Sequence, residues 1–365
     1  MINYYQPFLL PFLTLKRHRL PTGVHQTHFL SFEDALWVLL SRKGMTLGSV
    51  ILIPDFYCMD VVINIKNHGF NPVYYPMDDN FQVELPILNA HISAYTPAAI
   101  ILFDACGIPC LRMSEMKKLT RNNPNIIFIQ DAVHRLIEPN KVRLVAHNHY
   151  LIDSLRKVSP LPGSNIYWKT GSQTISPDTN RNEWCYRLSV HVWYVFFRVL
   201  LTTATLMRIP RLILYAHEKT LKSHDDIVGD STGGYAGNPL TPHILTHFHF
   251  AKVQKHKRHQ VELYEKLLRN VCQNNFQWFP VTIPDKAKQE LHVYPLGFRH
   301  NGDMEQLKKI ENLLHRQHIL VWFKFPEAPW SDKRSVLFLP LGFHIRNKDI
   351  FFIAQTLKEI ISREA

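Results

Sequence analysis

Three groups of side chains suited to carbonyl and proton-transfer chemistry stand in order along the first half of the chain. An aromatic pair, Phe56 and Tyr57, follows one apolar run, Asp131 and His134 follow a second, and Lys157 lies on the next segment. A lysine amine forms imines with carbonyl compounds, and a carboxylate or an imidazole accepts and returns protons. Each residue alone also has an ordinary explanation, because Asp131 suits a helix cap and Lys157 a solvated surface.

The apolar runs before these residues predict the buried strands of an α/β domain. Residues 49–54, 98–103 and 125–130 are short apolar segments. Residues 113–121, between two of them, have the periodicity of an amphipathic helix. This alternation is typical of a mostly parallel sheet. Because ligands of such sheets bind outside the carboxyl ends of the strands, Asp131 is predicted to face a ligand site.

Beyond residue 160 the pattern changes. Residues 163–182 are polar and rich in turn-forming residues, which predicts a loop. Residues 183–222 follow as a helical, insertion-like segment that breaks at Pro210.

The last third of the chain predicts a smaller α+β unit. A linking helix over about residues 243–271 precedes alternating strands and helices, among them a helix over Met304–Arg316. We therefore predict a large α/β domain over residues 1–240. Residues 241–365 are predicted to form the linking helix and a small C-terminal domain.

Together these residues resemble one family, the fold-type-I pyridoxal-phosphate (PLP) enzymes of the DegT/DnrJ sugar aminotransferase type. The Arg-Lys-x-x-Pro-x-Pro run of that family stands here as Arg156-Lys157-Val-Ser-Pro160-Leu-Pro162. Further matching segments are Asp34-Ala35-Leu36, Pro54-Asp-Phe56-Tyr57-Cys58, Gly69-Phe-Asn-Pro-Val73, Gly107-Ile-Pro109, Asp131-Ala132, Trp322 and Leu339-Pro340. The resemblance implies an α/β three-layer sandwich around a mostly parallel sheet, plus a small α+β C-terminal domain.

The resemblance also implies the catalytic roles. Lys157 is the Schiff-base lysine, and Asp131 keeps the pyridine nitrogen of the cofactor protonated so that the ring acts as an electron sink. His134 stands where the family usually has a glutamine facing the ring hydroxyl. A histidine packed in the domain core is the alternative for His134.

Other residues are expected to bind the cofactor on the same grounds. The flat neighbour of the ring comes from the segment of Phe56 and Tyr57, and we prefer Tyr57. The cofactor phosphate is expected at a helix N-terminus, where free N–H groups favour an anion. Ser31, Phe32 and Glu33 open that helix here.

The phosphate segment departs from the family pattern. A small-residue opening such as Ser-Gly-Thr is replaced by Ser31-Phe32-Glu33, which places bulk and negative charge beside a dianion. Ser154 is a candidate hydroxyl donor to the phosphate. Asn238, after a glycine-rich stretch, is the candidate contact from a partner subunit of a homodimer.

The expected function is that of a PLP-dependent aminotransferase. It would move an amino group from an amino acid to the keto group of a nucleotide-linked or otherwise phosphorylated sugar. The alternative is a catalytically silent or repurposed relative that acts as a binding or scaffold protein, which the altered phosphate segment favours. Transfer, dehydration and epimerisation all occur on such scaffolds, and the retained Lys157 disfavours dehydratase relatives that replace it.

The composition and net charge of the chain bear on which classes of partner are expected. The net charge of +12 favours anionic partners on encounter, whether phosphorylated metabolites, nucleic acid or acidic lipid, and a solvated surface that happens to be basic is the alternative. The charge is scattered, and no recognisable nucleic-acid module is present, so a nucleic-acid partner is not expected. The densest basic cluster, residues 252–258, has helical spacing and predicts a solvated helix face. Five widely spaced cysteines and a poor signal segment at residues 4–12 predict a cytoplasmic protein, and no metal site is expected.

Residues 190–207 form the most apolar stretch and are about long enough to span a bilayer. Arg198 near the centre would cost roughly 2.5 to 3.5 kcal/mol in a lone span, which disfavours one. Because Arg208 and Arg211 follow, we predict a surface helix that lies against a membrane or a partner. A helix packed wholly inside the dimer is the alternative.

Overall fold

The computed structural model describes residues 2–3, 13–15, 17–158, 163–172, 174–177, 181–228, 233–238, 240–273 and 275–364. Three segments named above lie outside these residues. They are the apolar segment 4–12, the proline-containing run 159–162 and residues 229–232 of the glycine-rich stretch.

Strands and helices alternate through the first part of the chain and again near its end. The strands are β1 (Ile2–Asn3), β2 (Val24–Phe29), β3 (Val50–Pro54), β4 (Asn71–Tyr75), β5 (Ala99–Phe103), β6 (Ile127–Asp131), β7 (His149–Ile152), β8 (Ser164–Lys169), β9 (Trp278–Pro280), β10 (Val293–Arg299), β11 (Ile319–Leu320), β12 (Phe323–Lys324) and β13 (Arg334–Pro340). The α-helices are α1 (Phe32–Arg42), α2 (Met59–Asn67), α3 (Leu85–Tyr95), α4 (Met113–Asn122), α5 (Leu155–Val158), α6 (Arg181–Met207), α7 (Pro210–Val228), α8 (Leu240–Thr246), α9 (Phe250–Gln273), α10 (Met304–Arg316) and α11 (Asn347–Glu364).

The main sheet has seven strands in the order β2-β8-β7-β6-β5-β3-β4. Strands β3 to β7 pair in parallel, whereas β8 pairs antiparallel to both β7 and β2. Every residue of β5 and β6 is buried, because strands in a parallel sheet are covered on both faces. The predicted α/β class with a mostly parallel sheet is therefore confirmed.

The predicted loop at residues 163–182 is wrong in its first part, where the structure has strand β8. The polar residues that suggested a loop are buried and satisfied by one carboxylate. Asp153 accepts hydrogen bonds from the Asn165 backbone N–H at 2.7 Å and from the Tyr167 hydroxyl at 3.0 Å. Ile166, Tyr167 and Trp168 supply the buried apolar side chains of β8, and the paired polar groups allow Ser164 and Asn165 to begin the strand in the interior.

A second, four-stranded sheet has the order β12-β13-β10-β9, and β1 pairs in parallel with β11. The linking helix predicted over residues 243–271 is divided into α8 and α9. One hydrophobic core contains residues from both sheets. Within it, the ring of Phe56 lies 4.9 Å from that of Trp330 and 5.1 Å from that of Phe325. The boundary proposed at residues 240 and 241 stays a prediction.

The basic cluster on α9 was predicted to be a solvated helix face. In the structure this face is not uniformly solvated. Lys257 is fully buried, and its Nζ donates to the Leu291 carbonyl at 2.7 Å. Burial lowers the pKa of Lys257 to about 7. The helical spacing predicted the helix correctly. The packing of α9 against β10 then buries the side chain of Lys257.

The α6–α7 hairpin has one buried and one exposed apolar face. Leu201, Ala204, Ile213 and Ala216 form its inner face together with Leu320. The outer face exposes apolar side chains, namely Val192, Trp193, Val195, Phe196, Val199, Leu206, Met207, Leu214 and Tyr215. Among the described helices, none is long and apolar enough to cross a membrane.

Candidate active site

Four predicted site residues lie beyond the carboxyl ends of neighbouring parallel strands. Tyr57 follows β3, Asp131 ends β6 with His134 just after it, and Lys157 follows β7. Since β3, β5, β6 and β7 are parallel neighbours, their carboxyl ends lie along one edge of the sheet. The topology therefore brings an amine, a carboxylate, an imidazole and a phenol into one site.

His134 connects two parts of this site. Its Nδ1 accepts a hydrogen bond from the Cys106 backbone N–H at 3.1 Å. Its Nε2 lies 3.1 Å from Nζ of Lys157. A neutral imidazole that accepts at Nδ1 carries its proton on Nε2, so Nε2–H donates and the lysine amine accepts. This arrangement requires an uncharged Lys157, which is the nucleophilic form of a lysine.

A tight turn positions the Cys106 N–H. Cys106 has a φ of 57° and Gly107 a φ of +103°. A Cβ on Gly107 would lie 2.6 Å from the His134 carbonyl oxygen and 2.8 Å from Cα of Leu291. Only glycine fits this close approach, so the turn is fixed against both the site and β10.

The surroundings favour the neutral forms of both bases. Burial, together with the Arg156 cation, lowers the pKa of Lys157 to about 8. The carboxylates of Asp131 and Glu33 act in the opposite direction and raise this pKa. Burial and the Lys157 charge hold the pKa of His134 well below its usual range. The imidazole of His134 is packed in the core, where its ring stacks on that of His292 at 5.4 Å. It is also in contact with Lys157.

Asp131 has two hydrogen-bond donors inside the protein. The Tyr57 hydroxyl donates to its Oδ2 at 2.7 Å, and the Val133 backbone N–H donates to its Oδ1 at 3.1 Å. Burial raises the pKa of Asp131 to about 7, although both hydrogen bonds act in the opposite direction. A carboxyl group of this pKa exchanges a proton near neutrality. Phe56, by contrast, is a core residue stacked on Phe81 at 4.9 Å.

A buried ion network behind the site was not predicted from the sequence. Arg135 donates to Asp104 at 2.8 Å and to Glu290 at 2.6 Å. Gln130 also donates to Asp104, at 2.7 Å. These contacts join the ends of β5 and β6 to the segment before β10, and they hold the chain on both sides of His134. Arg135 could have been singled out from the sequence because it is next to His134. Its partner Glu290 is distant in sequence, so the ion pair could not.

The N-terminus of α1 is near enough to Lys157 for the charge of Glu33 to act on it. Ser31 caps the helix, and its hydroxyl accepts from the Asp34 backbone N–H at 3.0 Å. Phe32 is buried in the core, so only its backbone faces the helix end. Glu33 is 8% exposed and is close enough for its charge to raise the pKa of Lys157.

The two remaining predicted residues have local roles in the structure. Ser154 is buried at the start of α5, and its carbonyl accepts from the Lys157 backbone N–H at 3.4 Å. Asn238 accepts from the Leu240 backbone N–H at 2.9 Å and so caps α8 in its own chain. Its predicted contact with a partner subunit stays a prediction.

The two ends of this site differ in how well they suit a pyridoxal cofactor. Lys157 and Asp131 have the chemistry needed to hold the aldehyde and the ring nitrogen, and Tyr57 and His134 lie beside them. The α1 N-terminus instead carries Glu33 and the buried Asp34, which do not suit a phosphate dianion.

Comparisons with known proteins bear on the family resemblance and on the fold. The profile of the DegT/DnrJ/EryC1/StrS aminotransferase family matches residues 24–137, which confirms the resemblance predicted from the sequence. No curated protein sequence matches the chain.

Solved structures resemble the whole chain. Helicobacter pylori PseC, an aminotransferase involved in the biosynthesis of pseudoaminic acid, is 14% identical with a TM-score of 0.62, and 99% of each chain is covered. Spr1654 from Streptococcus pneumoniae, in its PLP form, is 12% identical with a TM-score of 0.62 and 99% of each chain covered. NtdA from Bacillus subtilis, with bound cofactor PMP, is 12% identical with a TM-score of 0.60, covering 93% of this chain and 73% of that one. The predicted fold-type-I architecture is confirmed, and the structure adds a second, smaller sheet.

Proposed function

We propose that this protein is a PLP-dependent aminotransferase that uses an amino acid donor to aminate a keto group of a nucleotide-linked or otherwise phosphorylated sugar. The observation that carries the proposal is the contact of Lys157 Nζ with His134 Nε2 at 3.1 Å. A partly buried lysine whose pKa burial lowers to about 8, beside a carboxyl group with a pKa near neutrality, is arranged for covalent chemistry on an aldehyde.

Each residue of the site has its own role in the proposed reaction. With the cofactor bound, Lys157 would hold its aldehyde and exchange protons with the substrate, and Asp131 would hold its ring nitrogen. When bound, the cofactor supplies an electron sink for bond changes at the substrate carbon. His134 donates Nε2–H and thereby keeps the amine of Lys157 in its basic, uncharged form. Tyr57 orients the Asp131 carboxylate through its hydroxyl.

Three further observations support the substrate class. The family profile covers β2 to the segment after His134, which includes most of the site. Structures of the same fold include a sugar aminotransferase, Spr1654, and PseC, an aminotransferase involved in the biosynthesis of pseudoaminic acid. The net charge of +12 favours an anionic substrate.

Reduction with borohydride after incubation with PLP, followed by peptide mapping, tests the proposal. The adduct is expected on Lys157. Lys257→Met is the matched control, because Lys257 is the other buried lysine whose pKa burial lowers, to about 7. An adduct on Lys257 or on surface lysines would refute the assignment and leave the binding or scaffold protein as the better hypothesis. A screen of amino donors for conversion to the pyridoxamine form then tests amino transfer.

The proposal also covers the compartment, the oligomeric state and the membrane contact of the enzyme. We infer a cytoplasmic homodimer whose active sites lie at the subunit interface, with Asn238 contributed across it. Within one chain the Ala236 backbone pairs with Phe29 just before α1, so the contribution of Asn238 to a partner's site is supported by the family resemblance alone. We also infer a peripheral contact of residues 190–207 with an anionic membrane, supported by the exposed apolar face of α6.

A further inference from the structure

The hydroxyl at the N-terminus of α1 is engaged within its own helical turn. Ser31 Oγ donates to Asp34 Oδ2 at 2.7 Å and accepts from the Asp34 backbone N–H at 3.0 Å. Both atoms are buried. A phosphate placed at this helix end would therefore have to displace the Asp34 carboxylate from the serine that caps the helix.

The same carboxylate also binds the segment that faces the helix end. Asp34 Oδ1 accepts from the backbone N–H groups of Gly234 at 3.0 Å and Tyr235 at 3.2 Å. Successive backbone N–H groups are the donors that a bound anion uses. At this position the chain supplies the anion itself, on a side chain that is fully buried.

Glu33 adds a second negative charge on the side of the catalytic lysine. Its side chain is largely buried, and its charge acts on the pKa of Lys157 and of Tyr57. Two carboxylates in one helical turn repel a phosphate dianion, and the repulsion is strong where solvent screening is weak. The positive end of the helix is already compensated by these acidic residues.

We propose that Glu33 and Asp34 take the place of a cofactor phosphate, so that the site binds pyridoxal-type aldehydes through the ring and Lys157 and gains no affinity from a phosphate group. The inference rests on the proposed function. Binding forms a C=N bond between Nζ and the aldehyde carbon, and the aldehyde oxygen leaves as water with the two amine protons. Asp131 and Lys157 hold the ligand, whereas the α1 N-terminus excludes additional negative charge.

The test compares pyridoxal with PLP on the purified full chain. Each is titrated while the absorbance of the lysine adduct is followed, and the adduct is mapped to Lys157 after borohydride reduction. We expect dissociation constants that agree within about tenfold, and no protection by inorganic phosphate. Glu33→Gln should tighten PLP binding relative to pyridoxal by about tenfold or more.

Asp60→Asn is the matched control, because Asp60 is an exposed acidic residue in the first turn of α2. It should leave the ratio of the two affinities unchanged. PLP that binds the wild type about a hundredfold or more tightly than pyridoxal would overturn the inference and leave the proposed function standing. A Glu33→Gln ratio equal to that of the wild type would also overturn it. Absence of a Lys157 adduct with either aldehyde would refute the proposed function and the inference with it.

Discussion

Nζ of Lys157 lies 3.1 Å from Nε2 of His134, and the other nitrogen of this imidazole accepts from a backbone N–H. The backbone contact fixes the tautomer, and the tautomer fixes the direction of the hydrogen bond to the lysine. The reactivity of Lys157 therefore depends on a residue that does not need to touch the substrate.

His134→Ala should raise the pKa of Lys157, because the neutral amine loses its hydrogen-bond donor. The pH at which borohydride-trapped adduct forms at half its maximal rate, about 8 in the wild type, should rise by about one pH unit. His134→Gln is the control, since its side-chain amide also donates, and it should keep the wild-type profile. An unchanged midpoint in His134→Ala would show that the histidine only packs in the core.

Asp131→Asn should stabilise the fold while removing most of the turnover. The pKa of Asp131 is raised from 3.8 to about 7, so the folded protein binds more protons than the unfolded chain between these values. Stability therefore falls as the pH rises through this window, and the asparagine variant avoids this loss. At pH 8 we expect a gain of about 2 kcal/mol in urea unfolding, declining towards pH 4. Asp60→Asn, an exposed change, should show no such trend.

Tyr57→Phe should weaken the fold at pH 8 through the same carboxylate. It removes the hydrogen bond of 2.7 Å to Asp131, which stabilises the charged form. Urea unfolding should show a loss of about 1.5 kcal/mol. In the Asp131→Asn background the loss should be smaller, because the partner no longer carries a charge. Equal losses in both backgrounds would mean that the phenol acts through packing alone.

The proposed homodimer makes a simple prediction for sedimentation. The wild-type chain should sediment as a dimer, and Asn238→Ala should lower its affinity for the aldehyde without changing the sedimentation coefficient. Asn238 also caps α8, so a thermal melt of this variant is needed to show that the fold persists. A monomer that forms the Lys157 adduct with wild-type affinity would contradict the shared site.

The exposed face of α6 predicts binding to anionic vesicles. Phe196 is 53% exposed, and the exposed cations Arg208 and Arg211 follow the helix. The wild type should float with anionic but not with zwitterionic vesicles, and Phe196→Glu should stay in solution without floating. Phe351→Glu is the matched control, because Phe351 on α11 is 52% exposed, and it should float like the wild type. Precipitation of Phe196→Glu would instead show a helix buried between subunits.

The sequence alone determined those features whose signals are local. The strand ending at Asp131 and the helix Met304–Arg316 follow from short-range hydrophobic periodicity. The order of Tyr57, Asp131 and Lys157 along alternating strands and helices was enough to predict one ligand site, because parallel topology places carboxyl ends together.

Tertiary structure decided what depends on partners far away in the chain. Strand β8 begins with the polar residues Ser164 and Asn165, and Asp153, on the neighbouring segment, satisfies Asn165 in the interior. Asp34 was part of a matching motif, but its bonds to Gly234 and Tyr235 join positions about two hundred residues apart. Side-chain burial and hydrogen-bond partners arise only when such segments pack, so the lowered pKa of Lys157 and the bonds that occupy the helix end were decided by the tertiary structure.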